Sequence, residues 1–469
     1  MSFTEKQYDV STIPFPTVSI CPETKTYARK LNISAVVHSI IQKTMNFSET
    51  EVIRMEALNN ICQPYLTDPT KCQQKFTDER IFDVIQDMAP SFKDVIFECM
   101  WKYEPKLCLK HFVPVFTDEG FCFAFNAFNS NEMYTEEMAP GLMIVKTNPN
   151  VSHWSLENGY ENQFNDQEYP LRVYNAKHGA SLVVTLRLHE RDLEYFCKGS
   201  IQGFKVILHT PGHTTKENRH TFRVPLLEEA EIAIKPKLIT TSYELLRYRP
   251  NRRNCFFNNE RQLRFFKSYS QHNCEAECLA NFTLIQCGCV KFSMPRERNT
   301  KICGVASLGC YQNAADRLFG EDVIHGLTDN LAKTFRKECN CMSACTSITY
   351  NAEIDRAKLN WEGTLKSFGI PLKQASESKV SVVRIFFRDY EVVTIQRQAL
   401  YTFTDFLAVC GGLLGLFLGI SVLSIVEIGY YVTLRLFWSI RQFKSTHAMQ
   451  PIRRNIISHI TGNTQSNRF

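Results

Sequence analysis

Cysteine carries most of the chemistry in this chain. Of 18 cysteines in 469 residues, 17 precede position 406 and Cys410 alone lies beyond it. Cys274, Cys278, Cys287 and Cys289 have the density of a zinc site. Their spacings are C-x3-C and C-x-C, however, not paired C-x2-C steps, and no H-x3-5-H pair lies beside them. Disulfides are therefore the expected chemistry, with no metal and no cofactor. His209, His213 and His220 fall in HTPGHTTKENRH, a polar stretch that reads as a solvated loop. The chain has no G-x-S-x-G elbow, no H-E-x-x-H, no Walker loop and no G-x-G-x-x-G, so nothing in it reads as an enzyme.

A second group of residues has a different chemistry. Ala408, Gly411, Gly412, Gly415 and Gly419 recur at three- and four-residue steps, and Ser421, Ser424 and Glu427 follow them. On a straight helix the first set makes one small-residue ridge, with the second set roughly opposite. The ridge admits two readings. One is a packing seam for oligomerisation with Glu427 snorkelling at an interface. The other is a pore, in which backbone carbonyls at Gly419, Ile420 and Ser421 replace an ion's water and Glu427 attracts cations.

These residues sit in FLAVCGGLLGLFLGISVLSIV, Phe406 to Val426, which contains no charge. At 1.5 Å per residue such a helix covers a ~30 Å hydrocarbon core. Asp405 and Glu427 bracket it, and Tyr430, Tyr431 and Trp438 supply interfacial aromatics. The chain's net charge is +6, and six basic residues follow Glu427: Arg435, Arg441, Lys444, Arg453, Arg454 and Arg468. No acidic residue follows it, so the preceding chain is neutral, with 48 basic and 48 acidic groups. A basic nucleic-acid-binding body is excluded, and the cationic tail places the C-terminus in the cytoplasm. The cysteine-rich side is then extracytoplasmic, where sequons at Asn32, Asn46, Asn150 and Asn281 are glycosylation candidates.

Along that side, helical periodicity covers 33–65 and 78–100. Strand-like runs occur at 15–21, 111–126, 180–189, 204–209, 230–241, 346–350 and 380–396, the last reading as one long strand. Residues 255–345 form a separate cysteine-dense subdomain with two helical stretches.

Particular words then converge. FPTVSIC (15–21), GFCFAFN (120–126), HTPG (209–212), CEAEC with CGCVKFSMPR, CNCMSAC (339–345) and GGLLGLFLGISVLSIVE together resemble the degenerin/epithelial sodium channel family, most of all its insect pickpocket branch. The resemblance implies an α+β membrane protein. Its disulfide-rich ectodomain would be like that of acid-sensing ion channels, with a β-sheet palm and helical finger and thumb, followed by a C-terminal transmembrane helix. By that pattern residues 1–24 hold the first palm strand, 25–111 the finger, and 112–254 palm, knuckle and β-ball. Residues 255–345 form the thumb, 346–402 palm strands leading to the membrane, 403–434 the pore helix and 435–469 a cytoplasmic tail.

The resemblance also assigns roles. Gly419, Ile420 and Ser421 match a G-x-S sodium-selectivity motif, at which the membrane helix breaks. Ala408, Val409 and Gly412 take gate positions, with Val409 standing where acid-sensing relatives carry aspartate. Glu427 matches an acidic residue below the filter. The implied disulfides are Cys21–Cys122, Cys99–Cys108, Cys255–Cys345, Cys274–Cys341, Cys278–Cys339, Cys287–Cys310 and Cys289–Cys303. Outside that shared set, Cys62–Cys72 reads as a local pair, which leaves Cys197 either a buried free thiol or an intermolecular partner.

Relatives carry a first membrane helix some twenty residues before the FPTVSIC strand, and here the chain begins twenty residues before Cys21; that helix is expected upstream. The implied function is a subunit of a trimeric, amiloride-sensitive, sodium-preferring channel of the plasma membrane. It is not voltage-gated and is gated through its ectodomain by an extracellular ligand or other stimulus. Its partners are same-family subunits, in homo- or heterotrimers, and membrane lipid; its permeant ion is Na+. The alternative is a non-conducting one-helix glycoprotein that regulates or binds complete subunits.

Overall fold

The computed structural model describes residues 2–44, 47–62, 76–142, 152, 154–161, 168–174, 181–214, 221–319, 330–369, 377–419 and 421–443. Asn46, Cys72, Asn150, His220, Ile420, Lys444, Arg453, Arg454 and Arg468 lie outside the described residues. The chain divides into two units, Met1–Gln398 and Ala399–Phe469.

In the first unit the strands are β1 (Ser2–Asp9), β2 (Thr17–Pro22), β3 (Phe76–Thr77), β4 (Ile96–Trp101), β5 (Phe112–Thr117), β6 (Gly120–Phe125), β7 (Leu182–His189), β8 (Gly203–His209), β9 (Thr221–Pro225), β10 (Glu228–Thr241), β11 (Ile302–Cys303), β12 (Ser347–Lys358), β13 (Ser378–Phe387) and β14 (Glu391–Gln398). Helices of two turns or more are α1 (Ile33–Ile41), α2 (Glu49–Asn59), α3 (Arg80–Met88), α4 (Gln271–Cys287), α5 (Leu308–Phe319), α6 (Asn330–Cys339) and α7 (Trp361–Ser367). A seven-stranded sheet runs β1-β14-β10-β13-β7-β4, with β12 on the other edge of β10; a five-stranded sheet runs β5-β6-β2-β8-β9.

Two expectations change here. Residues 96–101 are not helical: Cys99 and its neighbours pair with β7, Cys99 opposite Val184, because their apolar side chains complete the sheet. The run 380–396 is two strands, not one. β13 pairs in parallel with β10 from Glu229↔Val382, and β14 resumes on β10 at Lys237↔Val393. Eight steps along β10 thus face eleven along the other chain, and the excess is absorbed between Phe387 and Glu391 as a bulge. There Arg388 N–H donates to Ile234 C=O at 2.9 Å, and Val10 N–H donates to Tyr390 C=O at 2.9 Å.

Phe15 joins the two sheets. Its ring meets Trp101 at 4.9 Å, Phe387 at 5.6 Å and Phe125 at 6.4 Å, all edge-on. Asn126 locks the segment that carries Phe15. Its backbone is left-handed (φ 59°), a conformation asparagine tolerates better than most residues. Its amide donates to Phe15 C=O at 2.7 Å and accepts from Leu171 N–H at 2.7 Å. A buried backbone loop is thereby satisfied by one side chain, which explains the terminal residue of GFCFAFN.

The cysteine-dense segment is a disulfide-stapled helical group. Ser270 caps α4 by accepting from Asn273 N–H at 3.0 Å, and Gly288 ends it at φ 69°. Cys274 and Cys278, one turn apart, are bonded to Cys341 and Cys339 at the end of α6. Cys287–Cys310 ties α4 to α5, and Cys289–Cys303 and Cys255–Cys345 close the flanks. The four cysteines of the zinc-like cluster therefore belong to four different disulfides. Cys21–Cys122 and Cys99–Cys108 are also formed. The turn between β5 and β6 attaches this group to the sheet: Lys291 donates to Asp118 at 2.6 Å and Ser293 at 2.5 Å. Next to it, buried Glu119 gathers Lys25, Lys198 and Lys205.

The eighth disulfide is a correction. Cys62 is bonded to Cys197, 135 residues away, with Cα atoms 4.5 Å apart. Both cysteines are buried, so Cys197 is not a free thiol and Cys62 is not paired with Cys72. A local pair is favoured by loop entropy, but the docking of the α2 end beside the segment after β7 decides the partner. Among the described residues the free cysteine is Cys410.

Candidate functional site

From Phe403 to Phe443 the described part of the second unit is helical except at Gly419 and Ser421. α8 (Phe403–Leu418) is started by Thr402, whose hydroxyl accepts from Asp405 N–H at 3.2 Å while Asp405 accepts from Thr402 N–H at 2.8 Å. This reciprocal cap fixes the helix start three residues ahead of the uncharged run. The T-x-x-D spacing of Thr402 and Asp405 encodes it.

The single 21-residue helix expected over 406–426 is two helices. Gly419 stands at φ 64° and ψ 16°, and its N–H closes on Gly415 C=O at 3.1 Å. Any residue with a Cβ is strained at that φ, so the helix ends where glycine permits the turn. Ser421 then caps α9 (Val422–Gly429): Ser424 N–H donates to Ser421 Oγ and Ser421 N–H to Ser424 Oγ, both at 3.3 Å. Ser424, expected on the face opposite the small ridge, is half of a cap. α9 continues through a π-helical segment, Tyr430–Arg435, and the helical stretch Leu423–Phe443 is 21 residues long and apolar enough to cross a membrane. The helix thus reaches past 434, into residues expected to belong to the tail.

Chemically, the break concentrates unpaired backbone groups. The last turn of α8 presents carbonyls and the first turn of α9 presents N–H groups, so that backbone rather than side chain is offered on either side of the break. Gly419 and Ser421 flank it directly. On α8, Ala408, Gly411, Gly412 and Gly415 share a stripe with Gly419, while Val409 lies about 100° round from Ala408. Around Gly411, Gly412 and Gly419 a Cβ would meet nothing within 4 Å. α8 buries none of its residues, and Leu416 and Phe417 are nearly four-fifths exposed. An apolar surface so exposed belongs against lipid or other helices. Glu427 follows on α9, also exposed. Because of the break, the opposition of Ser421, Ser424 and Glu427 to the small ridge, expected for one straight helix, does not hold.

In the first unit, Asn32 caps α1 by accepting from Ala35 N–H at 3.0 Å, and Asn281 lies on α4; both are exposed. The histidines depart from expectation. His209 ends β8, with Nε2 3.1 Å from Ser19 Oγ and Nδ1 3.3 Å from Thr210 C=O. The His213 ring lies tilted beside that of His272, ring centroids 6.2 Å apart. Both are half-buried rather than solvated, because HTPG folds inward beneath α4. Burial lowers His209 to about 4; burial, with repulsion from His272 and His209, lowers His213 to about 3.

The sign of the pH effect follows. Between pH ~6.5 and ~4 the unfolded chain takes up protons at these sites and the folded chain does not. Acid therefore removes stability over that window, by roughly 1–3 kcal/mol once partial exposure is allowed for. Thermal unfolding of the solubilised chain at pH 7 and pH 4.5 measures it, against a His209→Asn/His213→Asn double variant. Asp118, Glu275 and His272 line the same region and are present in both proteins, so the difference reports the two imidazoles together with their coupling to His272. An unchanged acid slope in the variant removes the assignment.

Comparison with known proteins places these features. A family model described as amiloride-sensitive sodium channel matches residues 1–431. Pickpocket protein 28 of Drosophila melanogaster is 26% identical over 460 residues, covering 95% of this chain and 71% of its own. Sodium channel protein Nach of Drosophila ananassae is 20% identical over 438 residues, covering 90% and 73%. Acid-sensing ion channel 2 of Mus musculus is 23% identical over 443 residues, covering 89% and 72%.

Proposed function

Because the chain belongs to the amiloride-sensitive sodium channel family, whose members are plasma-membrane ion channels rather than enzymes, we propose that it is a subunit of a trimeric, sodium-preferring channel in which the α8–α9 break forms the selectivity filter. The observation that carries this reading is the left-handed Gly419 followed by the Ser421 cap in an otherwise apolar helical stretch whose first helix buries none of its residues. Three such breaks around an axis would line a constriction with backbone oxygens and serine hydroxyls, ligands suited to a hard, partly dehydrated cation. Small residues along α8 let three helices approach, Ala408, Val409 and Gly412 form the gate, and Glu427 raises the local cation concentration on the cytoplasmic side. In this reading the palm strands pass the displacement of a disulfide-stiffened thumb toward α8.

Replacing Ser421 by alanine removes both the cap and the proposed ligand. The sodium-over-potassium permeability ratio is expected to fall about tenfold, a loss of ~1.4 kcal/mol of discrimination. Reversal potentials in cells expressing the chain, alone and with same-family subunits, provide the measurement. Unchanged reversal potentials would take the filter away from this segment. Absence of any amiloride-blocked current in either setting would leave a non-conducting membrane glycoprotein as the better description.

A further inference from the structure

A cavity of about 330 Å³ in the first unit lies between the five-stranded sheet and α4. Phe116, Phe128, Met138, Phe266 and Leu279 supply an apolar wall, and His209, His213, His272 and Tyr134 supply nitrogen and oxygen. Gly212 holds the loop close: at φ 83°, a Cβ there would come 3.1 Å from the Phe128 ring.

Most polar groups around this space are already committed. His209 is held by Ser19 and Thr210, Asp118 by Lys291 and Ser293, and Glu275 accepts from Gln271 at 3.1 Å. His213 and Tyr134 differ. Among the described residues each has a ring neighbour, His272 and Phe266 respectively, but neither the His213 imidazole nor the Tyr134 hydroxyl has a hydrogen-bond partner. Neither is sealed against the protein interior, so both offer a donor or acceptor to whatever occupies the cavity. Among the described residues no lysine or arginine lines it, which disfavours an anion, and the two carboxylates are engaged, which leaves a cation little to gain from them. Burial keeps the His213 ring neutral at pH 7. An apolar wall with two free neutral polar groups selects a neutral ligand.

We propose that this cavity is a binding site for a small, neutral, largely apolar molecule whose one polar group bonds His213 and Tyr134. Resting on the channel reading above, occupancy by such a molecule is the extracellular event that wedges α4 against the sheet and biases gating.

4-Fluorophenol, uncharged at pH 7, is a suitable probe. Added to the full chain in lipid nanodiscs, it should show saturable broadening of its 19F resonance with a dissociation constant of roughly millimolar or below, as befits so few atoms. Leu279→Trp, which fills the space, should weaken that binding at least tenfold, and His213→Ala about fivefold. Should Leu279→Trp lower the thermal midpoint, Ala276→Phe closes the same wall from the next turn. No saturable signal above empty nanodiscs, or equal binding in the folded filled variants, overturns the site. The readout involves no current: a chain that binds but does not conduct overturns the channel reading alone, and one that conducts without binding overturns the site alone.

Discussion

Cells expressing the Ala408→Val variant should carry a resting, amiloride-blocked current about tenfold above that of the unaltered chain. Ala408 lies on the small-residue stripe of α8, where the proposed closed gate brings three helices to close approach. Two added methyl groups per subunit have no space at such a crossing, and overpacking costs typically ~1–3 kcal/mol. That cost falls on the closed state, because helices already apart accommodate the larger side chain. A shift of ~1.4 kcal/mol changes the open-to-closed ratio tenfold. Surface protein must be measured in parallel, so that current per channel is compared. Resting current at the control level, with normal surface protein, would falsify the gate assignment and leave Ala408 as an ordinary packing residue.

The second large effect concerns stability. Cys197→Ser or Cys62→Ser opens the disulfide that closes 135 residues. In the chain-entropy view, a cross-link of that span restricts the unfolded chain by about 4–5 kcal/mol. Against a typical domain stability of ~5–15 kcal/mol, that is a large share. Thermal unfolding of the purified variant should show a clearly lower midpoint, and the cell-surface fraction should drop. A non-reducing peptide map of the unaltered protein provides the direct check. A fragment containing Cys62 must be joined to one containing Cys197; a Cys62–Cys72 fragment would reverse the correction made above.

What could be read from residue order depended on how local the determining interactions are. The strands at 15–21, 180–189 and 204–209 were legible because short runs rich in β-branched and apolar residues mark strands locally, although the structure buries both of their faces. Ile96–Trp101 misled because a short apolar run fits either period, and only its pairing with β7 settles the matter. The 380–396 run hid its bulge because the three extra residues are apparent only against the register of β10. Cys62 was assigned to a near neighbour for want of any signal spanning 135 residues. The inward fold of HTPG depends on Ser19, Phe128 and α4, all distant in sequence, so polar letters suggested solvent. At the candidate site, Gly419 and Ser421 were legible through their resemblance to a known motif. The Thr402–Asp405 and Ser421–Ser424 caps needed no homology, only attention to spacing.

The pairing of β1 with β14 has a mechanical meaning. Ser2 faces Gln398 and Asp9 faces Glu391 across an antiparallel ladder, so the first and last residues of this unit leave from the same end of two adjacent strands. Tension between those two ends would load one rung at a time, like a zipper, rather than shearing eight rungs at once. The disulfide-stapled helices are the opposite case, since covalent bridges leave them almost no extensible slack. Force entering the unit at its two ends is therefore spent first on a soft seam, and force entering through the staples is delivered stiffly. Within one fold, tension and push meet very different springs.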